Sequence, residues 1–100
     1  ERDDLKILHR KLKDYRYVDD LSDLKYGSYI RWMRLTNPDN ISLTNGALVV
    51  DINIYDSGVQ IKCKNNMNRF FNIKIDECIV FQKLSQQEII LLQIMEALNK

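Results

Sequence analysis

The apolar positions of this chain repeat first with a helical period, then with a period of two, then with a helical period again. Leu5, Leu8, Leu12 and Tyr15 recur at helical spacings, which predicts an apolar stripe on a first helix with Asp3 or Asp4 as its cap. Lys6, Arg10, Lys13 and Arg16 fall elsewhere around the cylinder, as a solvated back face does. In the "YVDDLSDLKYG" that follows, Val18, Leu21 and Leu24 predict one more short helical turn, ended by Gly27.

From Gly27 the period shortens. Residues 28–35, "SYIRWMRL", have the aromatic and β-branched content of a strand. Ile30 and Trp32 share one face while Met33 and Leu35 share the other, so both faces are expected to be covered. "TNPDN" (36–40) reads as a loop around Pro38, and Asn45-Gly46 is the strongest short turn signal in the chain. Residues 47–55 alternate, with Leu48, Val50, Ile52 and Ile54 on one face and Val49, Asp51, Asn53 and Tyr55 on the other. Val59, Ile61 and Cys63 form the apolar face of the next strand. A two-residue turn at Ser57-Gly58 sets Ile54 against Ile61, Ile52 against Cys63, Asn53 against Lys62 and Asp51 against Lys64. A slip of one residue would exchange the faces and put Ile52 against Lys62.

In "KCKNNMNRFF" (62–71), three asparagines surround Met67 just before two phenylalanines. Pairing Cys63 with Phe71 and Ile61 with Ile73 leaves Asn66-Met67-Asn68 as a three-residue loop. Such a loop needs a residue with positive φ, commonly its third, and Asn tolerates that conformation better than other non-glycine residues. The stretch therefore reads as a turn before it reads as a ligand tip. Phe70 falls on the outer face with Lys62, Lys64 and Asn72, where a phenylalanine calls for cover by a helix or a partner.

"CIVFQKL" (78–84) is a last strand after an Asp76-Glu77 corner, and "SQQE" (85–88) is a capping box that opens a helix. From Ile89 to Leu98 only Gln93 and Glu96 are polar. Ile90, Leu91, Ile94 and Leu98 form one apolar set and Ile89, Leu92 and Met95 the adjacent one. Together they occupy most of the circumference, so one set is expected against the sheet and first helix, and the other against a second chain.

These elements make an α+β chain of one domain. A helix and turn fill residues 1–25, a small antiparallel five-stranded barrel or bent sheet fills 26–84, and a C-terminal helix fills 85–100. The approach through "LKYGSYIRW" and the strand layout of residues 24–84 resemble small barrels of the Sm-like, Tudor-like or Src-homology-three-like type. "YGSYIRW" and "KNNMNRFF", with the abundance of Ile and Asn, are also similar to uncharacterised proteins of large DNA viruses of amoebae. The barrel resemblance implies a binding module. A Tudor-like pocket would draw on Tyr26, Tyr29, Trp32, Tyr55 and Phe70, and an Sm-like one on loops such as Asn45-Gly46.

Composition narrows the classes. A 100-residue chain buries about 65% of its unfolded surface, enough for one core. No apolar run reaches the roughly 18 residues of a membrane span, and no signal-peptide pattern opens the sequence. Beginning at Glu1, it is expected to be a piece of a longer chain. Cys63 and Cys78 form no Cys-x-x-Cys pair and read as reduced thiols, which with the missing signal pattern predicts an intracellular protein (cytoplasm, nucleus or virion), not a secreted one. The net charge of +1 is uneven: the segment from 26 to 75 is positive and the last quarter negative.

The inventory argues against an enzyme. His9 is the single histidine and belongs to the helix surface. No histidine–cysteine cluster predicts a metal site, and no glycine-rich loop predicts a phosphate-binding cofactor site, so neither metal nor cofactor is expected. The acidic pairs Asp3-Asp4, Asp19-Asp20 and Asp76-Glu77 sit at element ends, where solvation and capping explain them. The leading expectation is a non-enzymatic protein-interaction or assembly module. It would use Phe70, Ile89, Leu92 and Met95 to meet a protein partner, as a homodimer or larger assembly. The alternative is a nucleic-acid-binding small barrel that uses Arg31, Trp32, Arg34, Lys62, Lys64 and Arg69, with aromatic faces stacking on bases and basic groups holding phosphates. Neither a membrane nor a small-molecule substrate is expected.

Overall fold

A computed structural model describes residues 2–36, 39 and 42–99, with side chains from residue 5 onward. The cap expected of Asp3 or Asp4 and the loop around Pro38 lie outside the described part. The chain runs through α1 (Arg2–Lys11), β1 (Tyr15–Tyr17), a 3-10 turn η1 (Leu21–Asp23), β2 (Tyr29–Arg34), β3 (Ala47–Tyr55), β4 (Gly58–Lys64), β5 (Phe70–Lys74), a second 3-10 turn η2 (Ile75–Glu77), β6 (Cys78–Lys83) and α2 (Gln86–Leu98). It is an α+β fold with one antiparallel sheet in the order β1-β6-β2-β3-β4-β5.

The sheet has six strands rather than five, because Tyr15 does not continue the first helix. It opens β1, an edge strand paired with β6 through Tyr15↔Lys83 and Tyr17↔Phe81. Burial rewards Tyr15 more on a sheet than on an isolated helix stripe. Nor is the sheet closed, since β1 and β5 are unpaired edges. It is nonetheless curled. In a flat sheet β5 and β6 would stand about 19 Å apart, four strand spacings. The link from Lys74 to Cys78 reaches at most about 15 Å fully extended, and η2 folds it into a 3-10 turn. Only curvature brings these strands within reach. Tyr17 and Val80 at one end of the strand order thus come to line a common cleft with Val59 of β4.

The inner face holds the core. Ile30 and Trp32 of β2, Ala47 and Val49 of β3, Ile61 and Cys63 of β4, Ile73 of β5 and Val80 of β6 are buried there, closed by Val18 and Leu24 on either side of η1. The strand alternation expected for residues 47–55 is broken. Val49 pairs with Cys63 and Asp51 with Lys62, so Val50 is an unpaired bulge residue. Ala47 and Val49 face inward, Leu48 and Val50 are exposed, and Ile52 turns back toward the core. Unbroken alternation from Val49 would have aimed Asp51 into the apolar interior. The extra residue avoids that cost and adds local twist.

The β3–β4 turn is Asp56-Ser57 rather than Ser57-Gly58. Ile54 therefore faces Val59, Ile52 faces Ile61 and Asp51 faces Lys62, a shift of two residues from the expected pairing. A two-residue shift keeps each side chain on its face, which is why polarity matching alone does not detect it. Gly58 follows the turn with φ +133°, and a Cβ there would lie 2.7 Å from Asp76 Oδ2. Asn45-Gly46 is an irregularity inside the β2–β3 pairing, not a hairpin tip. It lies between the Met33↔Leu43 bridge and the Ile30↔Ala47 pair. The β4–β5 hairpin matches its expectation. Cys63 pairs with Phe71 and Ile61 with Ile73, and Asn68 carries the positive φ, +61°.

The expected burial of α2 is not found. The helix buries no residue, and everything from Ile90 to Asn99 is exposed. Leu84 N–H donates to Asp14 O, so α1 ends and α2 begins at the same end of the sheet, and neither packs across it. The radius of gyration is 14.9 Å, above the roughly 13 Å of a compact chain of this length.

Candidate interaction surfaces

Two surfaces stand out, and α2 is the first. Ser85 Oγ accepts from Glu88 N–H at 3.1 Å and Glu88 Oε1 accepts from Ser85 N–H at 3.0 Å, completing the capping box. The Glu88 carboxylate also lies 3.5 Å from Arg16 and 3.9 Å from Lys25. The Ser85 backbone bond is the main cause that holds the Glu88 carboxyl below its ordinary value, with those cations adding to it. The first turn is thus tied to β1 and to the segment before β2. Beyond it, Ile90, Leu91, Leu92, Ile94, Met95 and Leu98 are about half exposed or more. At 100° per residue they cover about 200° of the helix, and half-buried Ile89 with Gln93 and Glu96 takes the remainder.

The second surface is the outer face of the sheet. Phe70, on the β5 edge, is 57% exposed. Lys62 Nζ lies 5.2 Å and Lys64 Nζ 5.9 Å from its ring centroid. Phe70 therefore obtains part of its cover from the two lysine stems and offers a cation-flanked ring to solvent. Arg31 shares this face from β2, pairs across with Phe81, and donates through Nε to Thr44 O at 2.8 Å. Tyr17 and Phe81 rings approach at 6.2 Å. Burial pushes the Tyr15 hydroxyl above its ordinary value and nearby Arg31 pulls it back, with smaller effects from Tyr29 and Asp14.

Of the expected nucleic-acid residues, the structure brings together Lys62 and Lys64, with Arg31 on the same outer face. Trp32 is not available. It is 5% exposed on the inner face, with its ring 5.6 Å from Phe71, because its alternation with Ile30 commits it to the core. Arg34 pairs with Cys78 at the far end of β2, on the side of Trp32. Arg69 precedes β5, its N–H bonded to Asn65 Oδ1 in the hairpin loop. Arg31, Arg34, Lys62, Lys64 and Arg69, the five cations of that expectation, do not form one patch.

Gln82 escaped sequence reasoning. It is 1% exposed, yet every polar atom is engaged. Its Oε1 accepts from Lys25 N–H and Ser28 Oγ–H, and its Nε2 donates to Asp23 O. This side chain fastens the segment between η1 and β2 onto β6. "CIVFQKL" offered no signal, since a glutamine near a strand end reads as an outward residue.

The thiols are free, Cys63 buried and Cys78 partly so. Burial pushes the Cys63 thiol up to about 12, which makes it a small apolar core residue and not a nucleophile. His9 is exposed on α1. Among the described residues no helix is long and apolar enough to cross a membrane. Comparison with protein-family models, curated proteins and solved structures finds no match for this chain.

Proposed function

We propose that the chain is a non-enzymatic assembly module that pairs with a second copy of itself through α2, with Leu92 and Met95 in the contact, Leu91, Ile94 and Leu98 beside them and half-buried Ile89 at its rim. One observation carries this reading: α2 is ordered and capped, yet buries no residue in its own chain. Its six exposed aliphatic side chains present on the order of 600 Å², at the top of the range of about 300–600 Å² for the largest patch on a typical monomer. Covered completely on both copies, these side chains would remove at most roughly 1,200 Å² from water, the lower limit for stable complexes. Among the described residues of α2 after its first turn, Glu96 is the single charge, and it lies outside the apolar arc, beyond the edge that Leu92 forms. Nothing on the arc repels an identical helix. A two-fold, antiparallel arrangement also opposes the helix dipoles.

The likeness to small barrels belongs to the same reading. The order β6-β2-β3-β4-β5, with one 3-10 turn returning the chain from β5 to β6, supports it, as does the curl of the sheet. An intracellular setting accords with the two free thiols.

Sedimentation or light scattering across a concentration series tests the proposal. The native chain should dimerise. Leu92→Glu with Met95→Glu should yield a monomer with unchanged near-ultraviolet signal from Trp32. A native chain that stays monomeric at millimolar concentration would refute self-assembly.

A further inference from the structure

We propose that the outer face of the sheet binds single-stranded nucleic acid along a row of aromatic and basic side chains interrupted once, by Leu48. The row is built by register. Tyr15 pairs with Lys83 across β1 and β6. Ile30 pairs with Gln82, so one step along the same antiparallel ladder Tyr29 stands beside Lys83. Tyr29 pairs with Leu48, Leu48 with Lys64, and Lys64 with Phe70. The row thus reads Tyr15, Lys83, Tyr29, Leu48, Lys64, Phe70 and crosses all six strands on the side away from the core. A shorter parallel row holds Tyr17, Phe81 and Arg31.

Charge selects the occupant. The outward positions of the strands carry Arg31, Lys62, Lys64, Lys74 and Lys83 against one carboxylate, Asp51, in a chain of net charge +1. Among the described residues no carboxylate lies within ion-pair distance of these cations; the ion pairs gather instead around Arg16 and Glu88. A polyanion fits such a face. The interleaved rings discriminate further, because exposed bases stack on aromatic faces while duplex bases are already stacked on one another. Phe70 is the most exposed of these rings, and Lys62 and Lys64 flank it at 5.2 and 5.9 Å, so a base on the ring would have its phosphate within reach of either cation. Sequence-independent binding is expected, since nothing on the row offers a rigid hydrogen-bonding fork toward base edges, and Arg31 on the shorter row already gives its Nε–H to Thr44 O. This surface is separate from α2 and does not depend on dimerisation.

The test is fluorescence anisotropy with a labelled oligothymidylate of about twelve nucleotides. With three or four phosphates neutralised, affinity should fall about 20- to 50-fold between 50 and 200 mM salt. The variant Lys62→Glu, Lys64→Glu, Lys83→Glu should lose at least tenfold in affinity. A control with the same charge change on α1 and the turn after it, Lys6→Glu, Lys11→Glu, Lys13→Glu, should stay within about twofold. Phe70→Leu, which keeps apolar bulk and removes the ring, should lose several-fold, and poly-glutamate should compete poorly. The Leu92→Glu, Met95→Glu variant should bind as the native chain does. Absence of binding at low salt would overturn the proposal. So would equal loss in the α1 control, or competition by poly-glutamate as strong as by oligothymidylate.

Discussion

Val49 lies directly opposite Cys63 in the β3–β4 ladder, while Asp51, two residues further along β3, lies opposite Lys62, one residue back along β4. Val50 is the residue that the ladder skips. Removing it would leave Ala47, Val49 and Ile52 inward and Asp51 outward with every pair of the ladder intact. Deletion of Val50 should therefore give a folded protein in which Cys63 stays protected from thiol reagents. An unfolded product would show that the twist supplied by the bulge is indispensable to the curl of the sheet.

Gly58 is constrained chiefly by φ +133°, since Asp76 Oδ2, 2.7 Å from the place of a Cβ, is the far end of an exposed side chain that can swing aside. Gly58→Ala should lower stability by about 1–3 kcal/mol in a denaturant titration. Adding Asp76→Ser should recover the small steric part and leave the backbone part. Full recovery would mean that φ carries no cost here.

Gln82 satisfies two donors and one acceptor of the segment from Asp23 to Ser28. Gln82→Leu keeps the volume and deprives the Lys25 N–H of its acceptor. A loss of about 1–3 kcal/mol is expected. Amide exchange at Lys25 should accelerate more than at Ile61. A neutral result would show that water replaces the glutamine.

The two thiols should separate kinetically. At pH 8 a thiol pushed up to about 12 is ionised in about one molecule in ten thousand, and Cys63 is in addition fully buried. Cys78 is also raised by burial, to a smaller extent, and is partly exposed. A thiol reagent should label Cys78 first and Cys63 at the rate of unfolding. Reversed order would contradict the assignment of faces.

The capping box predicts an acid dependence with a definite sign. The Glu88 carboxyl is held below its ordinary 4.5, so its ionised form favours the folded helix start. That contribution is complete above pH 4.5 and is lost as pH falls through the lower folded value. Helix content measured by circular dichroism should decline over that window. Glu88→Gln, which retains the hydrogen bond without the charge, should flatten the decline. An unchanged profile would mean that the carboxylate is immaterial to the helix.

What the residues settle by themselves is local. The Ser85–Glu88 box, the positive φ at Asn68, the pairing of Cys63 with Phe71 and the common face of Ile30 and Trp32 each depend on neighbours a few residues away. Period, turn chemistry and capping act over that range, and the chain's pattern carries them. The structure decided what depends on distant partners. Tyr15 left the helical stripe because β6 offered it a strand to pair with. Val50 became a bulge because Asp51 could not face a core built by other strands. Setting the turn at Asp56-Ser57 instead of Ser57-Gly58 moves the pairing by two residues, a shift that leaves every face unchanged and is therefore invisible to polarity. Trp32 ceased to be a surface candidate, and Tyr15, Tyr29 and Lys83 came into one row with Lys64 and Phe70, only when six strands had been set in order. A residue's face is a local property of its strand, but its neighbour across the sheet is chosen by topology, and the candidate site is made of such neighbours.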